Sequence, residues 1–337
     1  MSEVMFIANT GHGITRASRA GNGVWSVEHL LSDHDVRCLA SDPLNPKIVY
    51  AGTQGKGVLR SEDRGKTWRL AGMDGHIVKT LSVSRSEPGA LYAGTKPAGL
   101  FVSRDRGESW DELDAFRQIP GRWLWLSPAE LPFTAYVQGI ALSPINANVI
   151  VVGIEAGAVV RSADGGRTWT GHRKGALRDC HSITFHASDG DWVYEAGGTG
   201  AGASFSQNAG EHWTQPREGL DRHYGWACAA DPVKPDIWYI SASPLPKGFG
   251  PPPAHVEGKA DAGIFRMKGN SRWEMLTGGL PQPLNSMPYA LLTAPDTPGH
   301  LYAGLSNGDV WHSANYGDSW QQLPFNLGGI HRTLIMV

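Results

Sequence analysis

A chain of 337 residues with 30 Lys+Arg against 32 Asp+Glu has a formal net charge of −2. That balance supplies no global field for nucleic acid or an anionic membrane, so neither is expected as a partner. Gly 43, Pro 22 and Trp 13, with 18% charged residues, favour many short strands joined by turns over helices.

The opening MSEVMFIANTGHG lacks the basic start and apolar core of a secretory signal. No apolar run approaches the ~18 residues of a membrane span. Cys38, Cys180 and Cys228 form an odd, sparse set, which argues against a disulfide framework and fits a reducing cytoplasm. A cytoplasmic location is therefore expected. Cys38 and Cys180 read as small apolar residues at one shared position of two repeats.

Taken in order, the chain keeps rewriting one octet. A worn copy, RASRAGNGVW, ends at Trp25, and SEDRGKTW, SRDRGESW, SADGGRTW and SQNAGEHW end at Trp68, Trp110, Trp169 and Trp213. A second worn copy, RMKGNSRW, ends at Trp273, and SANYGDSW ends at Trp320. Recurrence at about forty residues marks a stacked or radial repeat architecture. Before each full octet come an apolar strand, an Asp/Pro/Asn turn, a strand of the type IVYAGT, a Gly-rich loop and a strand of the type GVLRS; a polar last strand follows it. Four short strands per unit predict one blade of a propeller.

The first strands read DVRCLA from Asp35, IVKTLS from Ile77, YVQGIA from Tyr136, DCHSIT from Asp179, YGWACA from Tyr224 and PYALLT from Pro288. A seventh, IHRTLIMV from Ile330, has no octet after it, whereas the copy at Trp25 has no such strand before it. The C-terminal strand is expected to complete the first blade, which removes the open sheet edge. The fold class is thus all-β: one domain, a seven-bladed β-propeller of four-stranded antiparallel blades. The blades span 4–31 with 330–337, then 35–73, 77–116, 136–175, 179–220, 224–280 and 287–328. Long loops interrupt the pattern at 117–135 and 244–262, and such loops are functional or disordered.

Within SADGGRTW, Asp164 can accept backbone N–H groups of its own turn, Gly166 can adopt a positive φ, and Trp169 can lock the hairpin on its blade. Asn208 and Asn315 replace the Asp in two copies. Asn keeps the acceptor and loses the charge, which a repeated catalytic or metal-binding carboxylate would not tolerate. The octet reads as scaffold.

The S-x-D-x-G-x-x-W pattern resembles the Asp-box, or BNR repeat, of the sialidase-like propeller superfamily, which includes sialidases, xyloglucan-degrading glycosidases, sortilin-type receptors and a photosystem assembly factor. The segments GIEAGAVVRSADGGRTW, DRHYGWACAADPVKPDIWYISASP and LYAGLSNGDVWHS are most similar to single-domain bacterial propellers called sialidase-like or glycosyl hydrolase. The resemblance implies the fold and a structural octet, and leaves the reaction open. Sialidases resemble one another in an early Arg-Ile-Pro segment that this chain lacks, and xyloglucanases resemble a propeller doubled in length. True sialidase activity is not expected.

Propeller geometry sends the loops entering the inner strands, and those joining second to third strands, to one face of the central channel, where sites form. Those loops are rich in ionisable residues. One position around the ring reads Arg37, Lys79, Gln138, His181, Trp226, Ala290 and Arg332, a set suited to binding an anion. With His12 these are the expected substrate-binding residues, apart from Ala290 and His181. Glu155, His181, His223 and Tyr224 are the expected catalytic groups, since carboxylate, imidazole and phenol all serve acid–base chemistry. No cofactor is required on this reading. A divalent metal on the axis depends on the fold gathering His12, His181, His223, His255 and His331. Trp123 and Trp125 can stack on a sugar ring or cap their blade.

The expected function is lyase or hydrolase chemistry on a small polar or anionic substrate, such as a glycan fragment or uronate, by a monomer or weak homo-oligomer. The alternative is a non-catalytic protein-interaction or assembly-factor propeller, which predicts an exposed apolar or one-signed outer surface and a channel of small residues.

Overall fold

Short alternating runs bury one face each, and every repeat accordingly folds into one small antiparallel sheet. The structure is a computed structural model. It describes residues 4–337 except Glu130, Lys247, Phe249 and Asn270, so the octet ending at Trp273 and both long loops include positions outside the described residues. Seven sheets form, and the inner strand of each lies beside the next, the last beside the first. Helix among the described residues is limited to Asp114–Arg117 and the 3-10 turns Arg122–Leu124 and Pro253–His255. None is long and apolar enough to cross a membrane.

The first sheet contains both ends of the chain. Strand Leu334–Met336 pairs with Met5–Asn9 in the register Phe6↔Met336, Ile7↔Ile335 and Ala8↔Leu334. Ile14–Arg19 and Trp25–Leu30 complete it. The expected closure is present.

Two blades fall short of four full strands. In the fourth, the outer strand shrinks to a bridge between Arg161 and Thr170, because the His172 ring accepts the Val159 N–H at 3.1 Å in place of a ladder carbonyl. In the fifth, the bridge Phe205↔Thr214 is followed by Pro216, which has no N–H to continue the ladder.

The core lies in the seams between blades. Phe6, Ala8, Ala290, Val310, Phe325 and Leu334 join the last blade to the first, and Cys38, Tyr50, Val78, Leu81 and Ala93 join the second to the third. Each large side chain so buried contributes roughly 1.5–3 kcal/mol. The glycine of the IVYAGT-type strand makes the seam tight. A Cβ on Gly94 would lie 2.4 Å from Val137 of the next blade, and one on Gly52 2.7 Å from Val78.

The octets close on themselves. In SADGGRTW the Ser162 hydroxyl donates to Asp164 and accepts the Gly166 N–H, Asp164 accepts the Thr168 N–H and hydroxyl, and Trp169 Nε1 donates to the Gly166 carbonyl. Asn208 and Asn315 accept the equivalent N–H groups of His212 and Ser319, both at 2.9 Å. The octet glycine faces the preceding blade: a Cβ on Gly166 would meet Leu113 at 2.7 Å.

The inner strands carry a recurring irregularity. Pairing with the second strand skips Arg37, Lys79, Gln138 and His181 in blades two to five, the pair Trp226–Ala227 in blade six, and Tyr289 in blade seven. Each is a β-bulge, which re-aims a side chain. Tyr289, rather than Ala290, is therefore the blade-seven counterpart of Arg37. Cys38 follows its bulge and Cys180 precedes its own, so the two are not equivalent after all. Both are buried free thiols, as is Cys228.

Candidate active site

The bulges deliver their extra side chains to the channel. Arg37, Lys79, Trp226 and Tyr289 line a cavity of about 640 Å3, with Arg332, Tyr136, Glu155, Asp179, Tyr224, His255 and His331. Both long loops reach its mouth, through Pro128 and Ala129 on one side and Pro251 and Pro252 on the other.

One wall is cationic. Lys79 Nζ stands 4.5 Å from the Tyr136 ring centroid, Lys96 Nζ 5.9 Å and the Arg332 guanidinium 5.6 Å. Arg332 also donates to the Tyr136 hydroxyl at 3.3 Å. The ring face attracts these charges and holds them side by side. Arg37 is paired with Asp35 at 2.8 Å, and its buried Nε has no hydrogen-bond partner among the described residues.

An acidic cluster lines the same cavity, and the Glu155 N–H donates to the Tyr136 carbonyl at 3.1 Å. His181 Nδ1 lies 2.7 Å from the Gly225 carbonyl, and its Nε2 faces Asp179 Oδ2 at 3.5 Å and Glu155 Oε2 at 4.0 Å. Asp179 Oδ1 accepts the Ala156 N–H at 3.1 Å. Burial raises the Glu155 carboxyl above its usual range, against the pull of His181. Burial also opposes charge on Asp179 and His181, yet their mutual contact wins, holding Asp179 down and His181 up.

A hydrogen-bonded aromatic relay lines the cavity as well. The Tyr289 hydroxyl donates to the Ala254 carbonyl at 3.0 Å and approaches His255 Nδ1 at 2.8 Å. A hydroxyl has one proton, so His255 Nδ1–H donates to Tyr289, and His255 Nε2 accepts the Tyr224 hydroxyl at 2.9 Å. Burial pushes His255 down to about 4, helped by His181 and Arg332, which keeps the imidazole neutral. Burial likewise holds the Tyr224 phenol protonated.

The other expected site residues lie elsewhere. Gln138 is buried beneath the cavity, donating to the His181 carbonyl at 3.1 Å. His223 turns away from its neighbour Tyr224, with Nδ1 3.2 Å from the Ala201 carbonyl. His12 is exposed outside the cavity lining. His331 lines the mouth, and both ring nitrogens of His255 are engaged by tyrosines. Of the five histidines expected around a metal, only His181 joins a ligand-type cluster among the described residues, with Glu155 and Asp179. Trp125 packs on Phe116 at the end of blade three, at 6.0 Å between ring centroids, and Trp123 is 83% exposed. Tyr136, Tyr289 and Asp179 are the lining residues that sequence reasoning underweighted. Counting back from the second-strand glycine would have placed Tyr289.

No family model and no curated protein matches the sequence. Solved structures share the fold. An ancestral GH74 enzyme aligns with a TM-score of 0.60 at 17% identity, over 90% of this chain and 38% of its own. The GH74 xyloglucanase from Xanthomonas campestris aligns with a TM-score of 0.58 at 18% identity, over 86% of this chain and 45% of its own. YCF48 bound to D1 peptide aligns with a TM-score of 0.54 at 16% identity, over 85% of this chain and 80% of its own. The chain thus spans less than half the length of either GH74 enzyme, and the likeness is one of fold: a seven-bladed β-propeller whose neighbours include enzymes and a peptide-bound protein.

Proposed function

We propose that the protein is a lyase of the Asp-box propeller class, acting on a small carboxylate-bearing substrate such as a uronate fragment. The observation that carries this reading is the Tyr224–His255 hydrogen bond at 2.9 Å, in the same cavity as Arg332 and Lys79. The cationic wall binds the substrate carboxylate and stabilises the enolate-like intermediate. The Tyr224 oxygen takes the proton from the carbon beside that carboxylate as its own proton passes to His255 Nε2. The electron pair forms the C=C bond and expels the oxygen on the next carbon. Tyr224 and His255 return one proton to the departing oxygen and end as they began.

Glycoside hydrolysis fits less well. It needs two carboxyl groups about 5–5.5 Å or 6.5–9.5 Å apart, on either side of the bond. Glu155 and Asp179 instead converge with His181, their ligand atoms inside 4.8 Å of one another. The test is a panel of uronate oligosaccharides with wild-type protein, read by the near-ultraviolet absorbance of an unsaturated product. New reducing ends without that absorbance would establish hydrolysis and overturn the lyase.

A second reading rests on the blade-four loop, where Trp123 (83%), Leu131 (79%) and Leu124 (65%) are exposed. Large apolar side chains exposed along one loop suit a protein partner. On that reading the W123S/L131S pair abolishes a complex seen by native mass spectrometry while the cavity is untouched; an unchanged complex would remove it.

A further inference from the structure

Glu155 is 8% exposed, and its carboxylate makes no hydrogen bond among the described residues. It lines the cavity, so a carboxylate with no protein donor is held there open to water or a cation. Its neighbours are arranged around the same point. Asp179 spends Oδ1 on the Ala156 N–H and presents Oδ2. A carbonyl can only accept, so His181 Nδ1–H donates to Gly225, and Nε2, the nitrogen at which a cation would replace a proton, faces both carboxylates. At 3.5 and 4.0 Å these gaps are too long for good hydrogen bonds. Donors about 2.1 Å from a shared tetrahedral centre lie roughly 3.4 Å apart; the His181–Asp179 gap is at that spacing, and all three ligand atoms lie within 4.8 Å of one another.

We propose that Glu155, Asp179 and His181 form a site for one divalent transition-metal cation, of the Mn2+ or Zn2+ type. Two carboxylates with one imidazole suit these ions better than Mg2+ or Ca2+, which favour all-oxygen cages. The two carboxylates cancel the ionic charge. Both also border the cavity, which leaves coordination positions open to water or to a substrate oxygen. This ligand set differs from a histidine-only one, because His255 is committed to tyrosines and His223 points elsewhere.

The cation's catalytic role rests on the lyase reading; its binding does not. The experiment titrates chelator-treated full-length protein with MnCl2 or ZnCl2 by calorimetry, with Mn2+ binding also followed by electron paramagnetic resonance. One equivalent is expected for the wild type, with affinity falling at least ~10-fold in both E155Q and D179N. No saturable binding of either ion to the wild type, or wild-type affinity in both variants, would overturn the site, and the wild-type titration decides even where a variant fails to fold. Elimination that persists without metal binding removes this inference alone. Metal binding without elimination on the uronate panel removes the lyase alone.

Discussion

Tyr224 and His255 stand 31 residues apart in the chain and meet through a single hydrogen bond. Tyr224→Phe deletes the oxygen at that bond and keeps the ring that packs on His181 at 4.9 Å. Turnover of the uronate substrate should fall by about 10²–10⁴-fold, the usual range for a proton-transfer group, while the melting temperature stays within a few degrees. A large loss of stability with activity retained per folded molecule would make the residue structural. Arg332 allows a complementary test. Lys in its place keeps the charge but cannot span both the Tyr136 hydroxyl and a substrate carboxylate. R332K should raise KM more than it lowers kcat, as steady-state kinetics would report.

At the scale of elements, the octets and the seam glycines make separate predictions. Thr168 and Ser109 donate to Asp164 and Asp105 through hydroxyl and backbone N–H groups, holding both carboxyls at about 2. Asp63 is brought to about 2 by Thr67, although partial burial acts against it. Each folded-state value lies below the ordinary 3.8. The stability these turns confer is therefore complete above about pH 4–5 and lost as pH falls toward 2. The Asn208 and Asn315 copies have no such dependence. Urea midpoints between pH 6 and pH 2 should decline less steeply in D164N than in the wild type; equal slopes would mean the turn bonds are replaced by water at no cost. The seam is less forgiving. Gly94→Ala drives a Cβ to 2.4 Å from Val137 and 2.7 Å from Thr80, and overpacking of this kind costs about 1–3 kcal/mol. A urea midpoint unchanged from wild type would show that the blades can slide apart.

Across the whole molecule, closure and the cavity are linked. Strand Leu334–Met336 seals the first blade, and Arg332 just before it supplies the cationic wall. Removing residues 330–337 should expose the edge of Met5–Asn9, broaden thermal unfolding and promote aggregation. A sharp wild-type melt in the truncated chain would mean the velcro pairing is dispensable. The two long loops approach the cavity from blades four and six, so the longest departures from the repeat gather at one place. Blades that are alike build the ring, and the exceptions furnish its mouth.

The sequence alone determined the repeat, the strand order and the closing strand, because these depend on neighbours. An octet bonds within itself, from Ser162 to Gly166 and from Asp164 to Thr168, and its pattern survives in the letters. The channel residues were only partly legible. Arg37, Lys79 and Trp226 could be aligned from their strands, yet PYALLT was placed one residue out because a bulge adds a residue that alternation does not announce. His223 and Tyr224 are adjacent in the chain, and strand geometry sends only the second into the cavity. The meeting of Glu155, Asp179 and His181, and of Tyr224, His255 and Tyr289, was settled by tertiary structure alone. Residues from separate loops share no local period, and it is the ring of bulged inner strands that gives them a common centre.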